Sequence, residues 1–304
     1  MLSSGKKNFA LENTGQAARC YSARKNKKNV FIKIIFSAAN KLLHLIKIIM
    51  GIVSVETSKA WQVFLANIKD AKNELGNPEI LWFRGHSNAE FRLLPSLLRY
   101  SRGLEKEQEL FYKFKRYADK LFKSKNSEWE TLFDMQHYGI PTRLLDWTEN
   151  FGIALFFAAY YNSKFSSGKS ASMYLLNPVK LNLFAGRNSI VRLPTEENNF
   201  RYSDIYFQKR PFSANSPIAI EPIFNNDRIM AQRGNFTIHD DSLIAIEEKF
   251  PGAIKKIILD GYTIQAALEF LDLANITEYS VFPDFSGIAG YLIQSSGLLD
   301  PVTR

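Results

Sequence analysis

Apolar positions follow two rhythms along this chain. Up to about residue 138 they recur at helical spacing. Trp61, Phe64, Leu65 and Ile68 share one face behind Ser58 as a cap, and Gly76 with Pro78 stops that helix. Leu110, Phe111, Phe114, Tyr117 and Leu121 form the inner face of a charged helix over 104–123, and a second helix covers about 128–138, closed by Gly139. The apolar run ILWFRGHS, residues 80–87, interrupts them and predicts a short buried strand. FGIALFFAAYY, 151–161, is apolar all round and predicts a helix in the core, capped by Asn150 or Thr148. Beyond it the rhythm shortens. SMYLL at 172–176, SPIAI at 216–220, GNFTIH at 234–239 and KKIILD at 255–260 read as strands, with helices expected over 263–274 and 284–295. Residues 186–215 are weakly patterned and read as a long loop over one sheet face. This order of elements predicts an α+β fold with a strand-rich C-terminal half.

Charge changes the picture mainly at the N-terminus. The chain of 304 residues carries a net +9, and residues 1–49 hold all of it: ten Lys or Arg against one Glu. The remaining 29 basic and 29 acidic residues balance, so the body has no polyanion-binding composition and nucleic acid is disfavoured as a partner. The leader is expected to be disordered over 1–29. Over 30–49, Lys33, Lys41, His44 and Lys47 fall on one arc of an otherwise apolar helix, which suits a membrane surface rather than a span. Met50 is an equally good candidate start, which would leave residues 1–49 untranslated. The single cysteine, Cys20, lies in the leader, so the body has no thiol nucleophile, disulfide or Cys-ligated zinc.

Candidate chemistry is concentrated in DMQHYGIPTRLLDWT, residues 134–148. Asp134, His137, Tyr138, Thr142, Arg143, Asp146 and Trp147 lie within it, and Gly139 and Pro141 fix a turn between the two flanking helices. The crowding allows either a site or an elaborate cap. His137 suits a general base or a ring bonded to a carbonyl. Asp146 suits a reacting carboxylate or a helix cap, and Arg143 a ligand contact or a pair with a core acid. Arg84, at the end of an apolar strand, needs an anionic partner, either a core carboxylate or a ligand. His86, His137 and His239 lack the spacing of a metal motif.

Four blocks in order, LWFRGHSNAEFRLLPSLLRY, QHYGIPTRLLDWTENFGIALFFAAY, RIMAQRGNFTIH and VFPDFSGIAGYL, resemble the FRG domain of bacteria and phages, named for the Phe-Arg-Gly found here at 83–85. The resemblance runs from about 80 to 295. With the leader over 1–49 and an N-terminal helix over 50–79 read from charge and periodicity, the resemblance places an FRG domain over 80–298. A weaker resemblance joins Arg84 and Gly85, with NDRIMAQRGNFTIH, to ADP-ribosyltransferases of the arginine-serine-glutamate type. The middle Ser-Thr-Ser element of that type is missing, and Asp227 or Gln232 stands near where its glutamate belongs.

Together these resemblances imply a cytoplasmic, nucleotide-handling effector, a transferase or hydrolase with NAD as substrate, acting as a toxin or in antiphage defence. A non-enzymatic sensor of a ligand or protein is the alternative. Cleaving the nicotinamide–ribose bond passes through an oxocarbenium-like state, so the site must hold the diphosphate, receive the ring and place a carboxylate by the ribose. Arg84, His137, Asp146 and Asp227 are the expected reacting or charge-stabilising groups, with Glu221 a further carboxylate. Gly85, Tyr138, Thr142, Arg143, Trp147 and Gln232 are the expected binding residues, Trp147 or Tyr138 stacking on the nicotinamide.

Overall fold

The computed structural model describes residues 42, 50, 51, 53–121, 127–166, 168–193, 201–210, 216–224 and 226–297. The chain divides into two compact units, Met1–Glu56 and Thr57–Arg304. The disordered segment and the amphipathic helix expected over 1–49 fall outside the described residues, Leu42 excepted. No helix among the described residues is long and apolar enough to cross a membrane.

The second unit is built on a seven-stranded mixed sheet. Its strands are β1 (Trp82–His86), β2 (Leu144–Thr148), β3 (Ala171–Leu176), β4 (Val191–Leu193), β5 (Ile218–Pro222), β6 (Gly234–Ile238) and β7 (Ile254–Leu259), in the spatial order β4-β5-β6-β2-β1-β3-β7. Only β4 with β5 is parallel; the other pairs are antiparallel. The helices of this unit are α1 (its part over 57–74), α2 (Gly103–Ala118), α3 (Glu128–His137), α4 (Phe151–Leu155), α5 (Tyr161–Phe165), α6 (Pro178–Phe184), α7 (Tyr202–Tyr206), α8 (Asp227–Gln232), α9 (Ile246–Lys249), α10 (Gly261–Leu273), α11 (Glu278–Val281) and α12 (Phe285–Ser295). A single π turn, Phe156–Tyr160, joins α4 to α5.

The centre of the sheet has a seam. β1 pairs with β3, β3 with β7 and β2 with β6 over five or six residues each, whereas β1 meets β2 only at Phe83 opposite Thr148. Side-chain alternation shows how each face responds. On one face two separate cores form. Phe83, Met173, Leu175, Ile257 and Leu259 pack under α1, α4 and α10 on one side of the seam. Leu144, Ile218, Ile220, Phe236 and Ile238 pack under α2, α3 and α7 on the other. On the opposite face one core crosses the seam, joining Trp82, Tyr174 and Leu176 to Leu145, Trp147 and Ala219.

Two sequence expectations change here. The stretch before the apolar helix is not a turn between helices: LLDWT is the central strand β2. Both its faces are buried except at Asp146, so it lacks the polar alternation that marks a half-exposed strand. The long loop expected over 186–215 contains β4 and α7, whose Tyr202 and Tyr206 are core residues.

Candidate functional site

Local capping fixes the two elements that approach the seam from β2. α3 begins with a reciprocal capping box: Ser127 Oγ accepts from the Glu130 amide at 3.1 Å, and Glu130 accepts from the Ser127 amide at 2.7 Å. It ends at Gly139, whose φ of +77° turns the chain toward β2. α4 begins at Asn150, whose Oδ1 accepts from the Gly152 amide at 2.9 Å. Asp146 is therefore released from the capping role that the sequence allowed it. α4 and the π turn lie directly on β1. A methyl at Gly85 would collide with the Ala154 carbonyl and the Ala158 amide, so only glycine permits this approach.

Between the two cores the seam opens as a cleft of about 190 Å³. Phe83, Ile153, Ala154 and Phe157 form one wall, and Phe133, Ile229 and Phe236 the other. Arg84 and Asp146 meet at its floor. Alternation sets Arg84 on the far face with Trp82 and His86, so its guanidinium reaches the cleft through the seam. Nη1 donates to the Asp146 carbonyl at 2.6 Å, taking the place of a strand–strand hydrogen bond, and to Asp146 Oδ2 at 3.3 Å. Nε donates to His86 Nε2 at 3.0 Å. That contact sets the His86 tautomer: Nε2 accepts, so Nδ1 carries the proton and faces the Phe91 carbonyl at 3.3 Å. Burial, then the Arg84 charge, push the His86 pKa down to about 3 and keep the ring neutral. Burial also lowers the Arg84 pKa, against the opposing pull of Asp146.

Asp146 is the single carboxylate among the cleft-lining residues, and its side chain is 50% exposed. Gln136 Nε2 donates to Oδ2 at 3.0 Å, and Thr142 Oγ1 donates to Gln136 Oε1 at 2.6 Å, which fixes the amide's orientation. Two donors thus hold one carboxylate oxygen, while Oδ1 has no hydrogen-bond partner among the described residues. His137, at the end of α3, lines the cleft with its Nδ1 buried and unpartnered. Burial and the nearby Arg228 charge lower its pKa, so it is neutral at pH 7.

Of the ten expected site residues, the cleft collects Arg84, Gly85, His137, Asp146, Trp147 and Gln232. Trp147 contributes no free ring. It is 2% exposed on the far face, where its indole donates to Thr237 Oγ1 at 3.0 Å, and Thr237 Oγ1 lies within hydrogen-bond distance, 2.9 Å, of His239 Nε2. Thr142 lies behind the cleft as the support of Gln136. Arg143 is buried elsewhere, its fork bonded to Glu107 at 2.5 and 2.6 Å and its Nη1 to Asp241 at 2.6 Å. Tyr138 is 72% exposed beside His137, Asp227 is exposed at the start of α8, and Glu221 pairs with Arg192 at 3.1 Å; none of these three lines the cleft.

Gln136, Arg228 and Asn235 line the cleft and were not foreseen. Helical spacing held the signal for Arg228. It lies four residues before Gln232 on α8, so choosing Gln232 on this segment selects Arg228 rather than Asp227 as its neighbour on the same face. Gln136 stood inside the crowded stretch, but the sequence did not show that it would orient Asp146.

No curated protein and no solved structure matches the chain. Residues 79–167 match the family model of the FRG domain, a shorter span than the four blocks suggested. The matched segment runs from β1 to α5 and supplies Arg84, Gly85, Gln136, His137 and Asp146, while Arg228, Gln232 and Asn235 come from the chain beyond it. The chain thus carries a segment, residues 79–167, that matches the FRG domain, with the defining Phe-Arg-Gly placed at the seam.

Proposed function

We propose that the cleft is a nucleotide site that cleaves the nicotinamide–ribose bond of NAD. The observation that carries this reading is the Asp146 carboxylate, held by Arg84 and Gln136 through one oxygen and open at the other, at the floor of a cleft with aromatic walls. Such a carboxylate is already oriented when positive charge develops on the ribose, so it needs little rearrangement to stabilise it. In the reaction the C1′–N bond breaks and nicotinamide leaves with the electron pair. The electron-poor C1′ then bonds to the oxygen of water, or of an acceptor group, which gives up a proton. The neutral His137, beside the cleft, is the group with the lone pair to receive that proton. Phe83, Phe133, Phe157 and Phe236 provide the apolar surface for the ring, the part that Trp147 and Tyr138 were expected to play.

The test is NAD consumption by the purified full chain, with nicotinamide release followed by chromatography and Arg84→Ala and Asp146→Asn as controls. Release that disappears in both folded variants supports the reading. A folded wild type that neither consumes NAD nor is stabilised by it against heat overturns the reading in favour of a ligand sensor without this chemistry. A role in defence or as a toxin is the setting in which such an activity would act; growth arrest on expression, relieved by Asp146→Asn, tests it.

A further inference from the structure

Arg228 stands on the wall of the cleft, half-buried on α8, and the Asp284 carboxylate acts on it only from beyond ion-pair distance. Its guanidinium lies 4.7 Å over the Phe282 ring, and Nη1 donates to the His137 carbonyl at 3.3 Å. Both partners are neutral, and among the described residues no carboxylate lies within ion-pair distance of it. The contrast within the molecule is clear: Arg84 meets Asp146, Arg143 meets Glu107 and Asp241, and Lys249 meets Asp240. The lining residues carry two guanidinium groups against one carboxylate, and that carboxylate is already engaged by Arg84. A partly desolvated cation held by an aromatic face and a carbonyl is costly unless an anion completes it. A guanidinium's planar fork suits two oxygens of one phosphate.

We infer that Arg228 is the phosphate-binding residue of the cleft and that the ligand class is phosphorylated, a nucleotide or a diphosphate ester rather than a neutral nucleoside. The inference rests on the proposal that this cleft is a ligand site, but not on glycosidic cleavage taking place there. It also gives the part of the chain beyond the family match a definite task. The family segment provides the carboxylate and α8 provides the cation that selects for phosphate.

Calorimetric titration of the full chain with inorganic pyrophosphate, NAD and nicotinamide riboside tests it. Wild type should bind pyrophosphate with an affinity that falls as salt rises, and NAD at least tenfold more tightly than the riboside. Arg228→Gln, which keeps a donor for the His137 carbonyl, should weaken pyrophosphate at least tenfold and erase the preference for NAD over the riboside. Equal binding of pyrophosphate by wild type and Arg228→Gln, or no binding by wild type, overturns the inference. A second measurement needs no variant: pyrophosphate should protect Arg228 of the wild type from phenylglyoxal, read by peptide mass spectrometry, and an unchanged modification rate counts against it. The two readings fail separately. Pyrophosphate binding that depends on Arg228 without NAD cleavage removes the previous proposal alone; NAD cleavage indifferent to Arg228 removes this one alone.

Discussion

Arg84 and Arg143 both meet carboxylates, yet in different surroundings. Arg143 is 1% exposed, and all its partners belong to the protein: both oxygens of Glu107, Asp241, the His239 carbonyl and the face of Tyr206 at 4.7 Å. Tyr202 donates to the same Glu107 and closes the cluster. Burial works against the Arg143 charge, but Glu107 and Asp241 outweigh it and raise its pKa above the ordinary arginine value. Arg84 has a single half-exposed carboxylate, a carbonyl and a neutral histidine, at the floor of an open cleft. The first arrangement is complete; the second leaves oxygen and volume unused. Carboxylate pairing alone therefore does not separate a closed arginine cluster from one that lines a cleft. What separates them is whether the partner has spare coordination facing a cavity.

The largest expected effect is on the closed cluster. Arg143→Ala strands Glu107 in the core and should cost about 3–5 kcal/mol by denaturant titration. A cost of about 2 kcal/mol or less would put Arg143 in the same class as Arg84. Acid should strain both regions, since His86 bonds Arg84 and the His239 carbonyl bonds Arg143. Burial foremost holds both rings at pKa values of about 3, below the 6.5 of an unfolded histidine. Protons therefore bind the unfolded chain first. The stability these two rings support is intact above pH 6.5 and is lost as pH falls toward 3, by about 2 kcal/mol per histidine at pH 5. Unfolding free energy that stays flat from pH 7 to 5 would refute this.

Asp146→Asn sharpens the contrast in the other direction. It should lower NAD turnover about 10²–10³-fold with stability changed by less than about 1 kcal/mol. A large stability loss with turnover intact would make Asp146 structural. Arg84→Ala should cost about 1–2 kcal/mol, because the Asp146 carbonyl loses its donor, and should raise the His86 pKa, a shift that NMR titration of the ring can follow. Smallest of all is Asp241→Asn. Its carboxylate is 54% exposed and shared between Arg143 and Lys209, so the loss should stay under about 1 kcal/mol.

How much of this could be read from the sequence varies with the range of the contacts involved. The edges of α2, α3, α10 and α12 were legible to within a few residues because caps and periodicity are local signals. β2 was not, since a strand buried on both faces and interrupted by Asp146 shows neither alternation nor a continuous apolar run. Among the cleft residues, Arg84 was picked out by the cost of burying its charge at the end of an apolar strand, and Asp146 by the crowding of reactive side chains around it. The difference between Arg143 and Arg84 was not, because it depends on Glu107 and Asp241, 36 and 98 residues away from Arg143.

The seam also has a mechanical meaning. A ladder of five or six pairs resists shear through many hydrogen bonds at once, whereas β1 and β2 are coupled by one residue pair and one guanidinium. The core beneath them is continuous and the two cores above are not, so the Trp82–Trp147 layer carries most of the packing that joins the half-sheets. Arg84 is then the clasp. An anion that competed with Asp146 for its guanidinium would therefore act at the joint between the half-sheets.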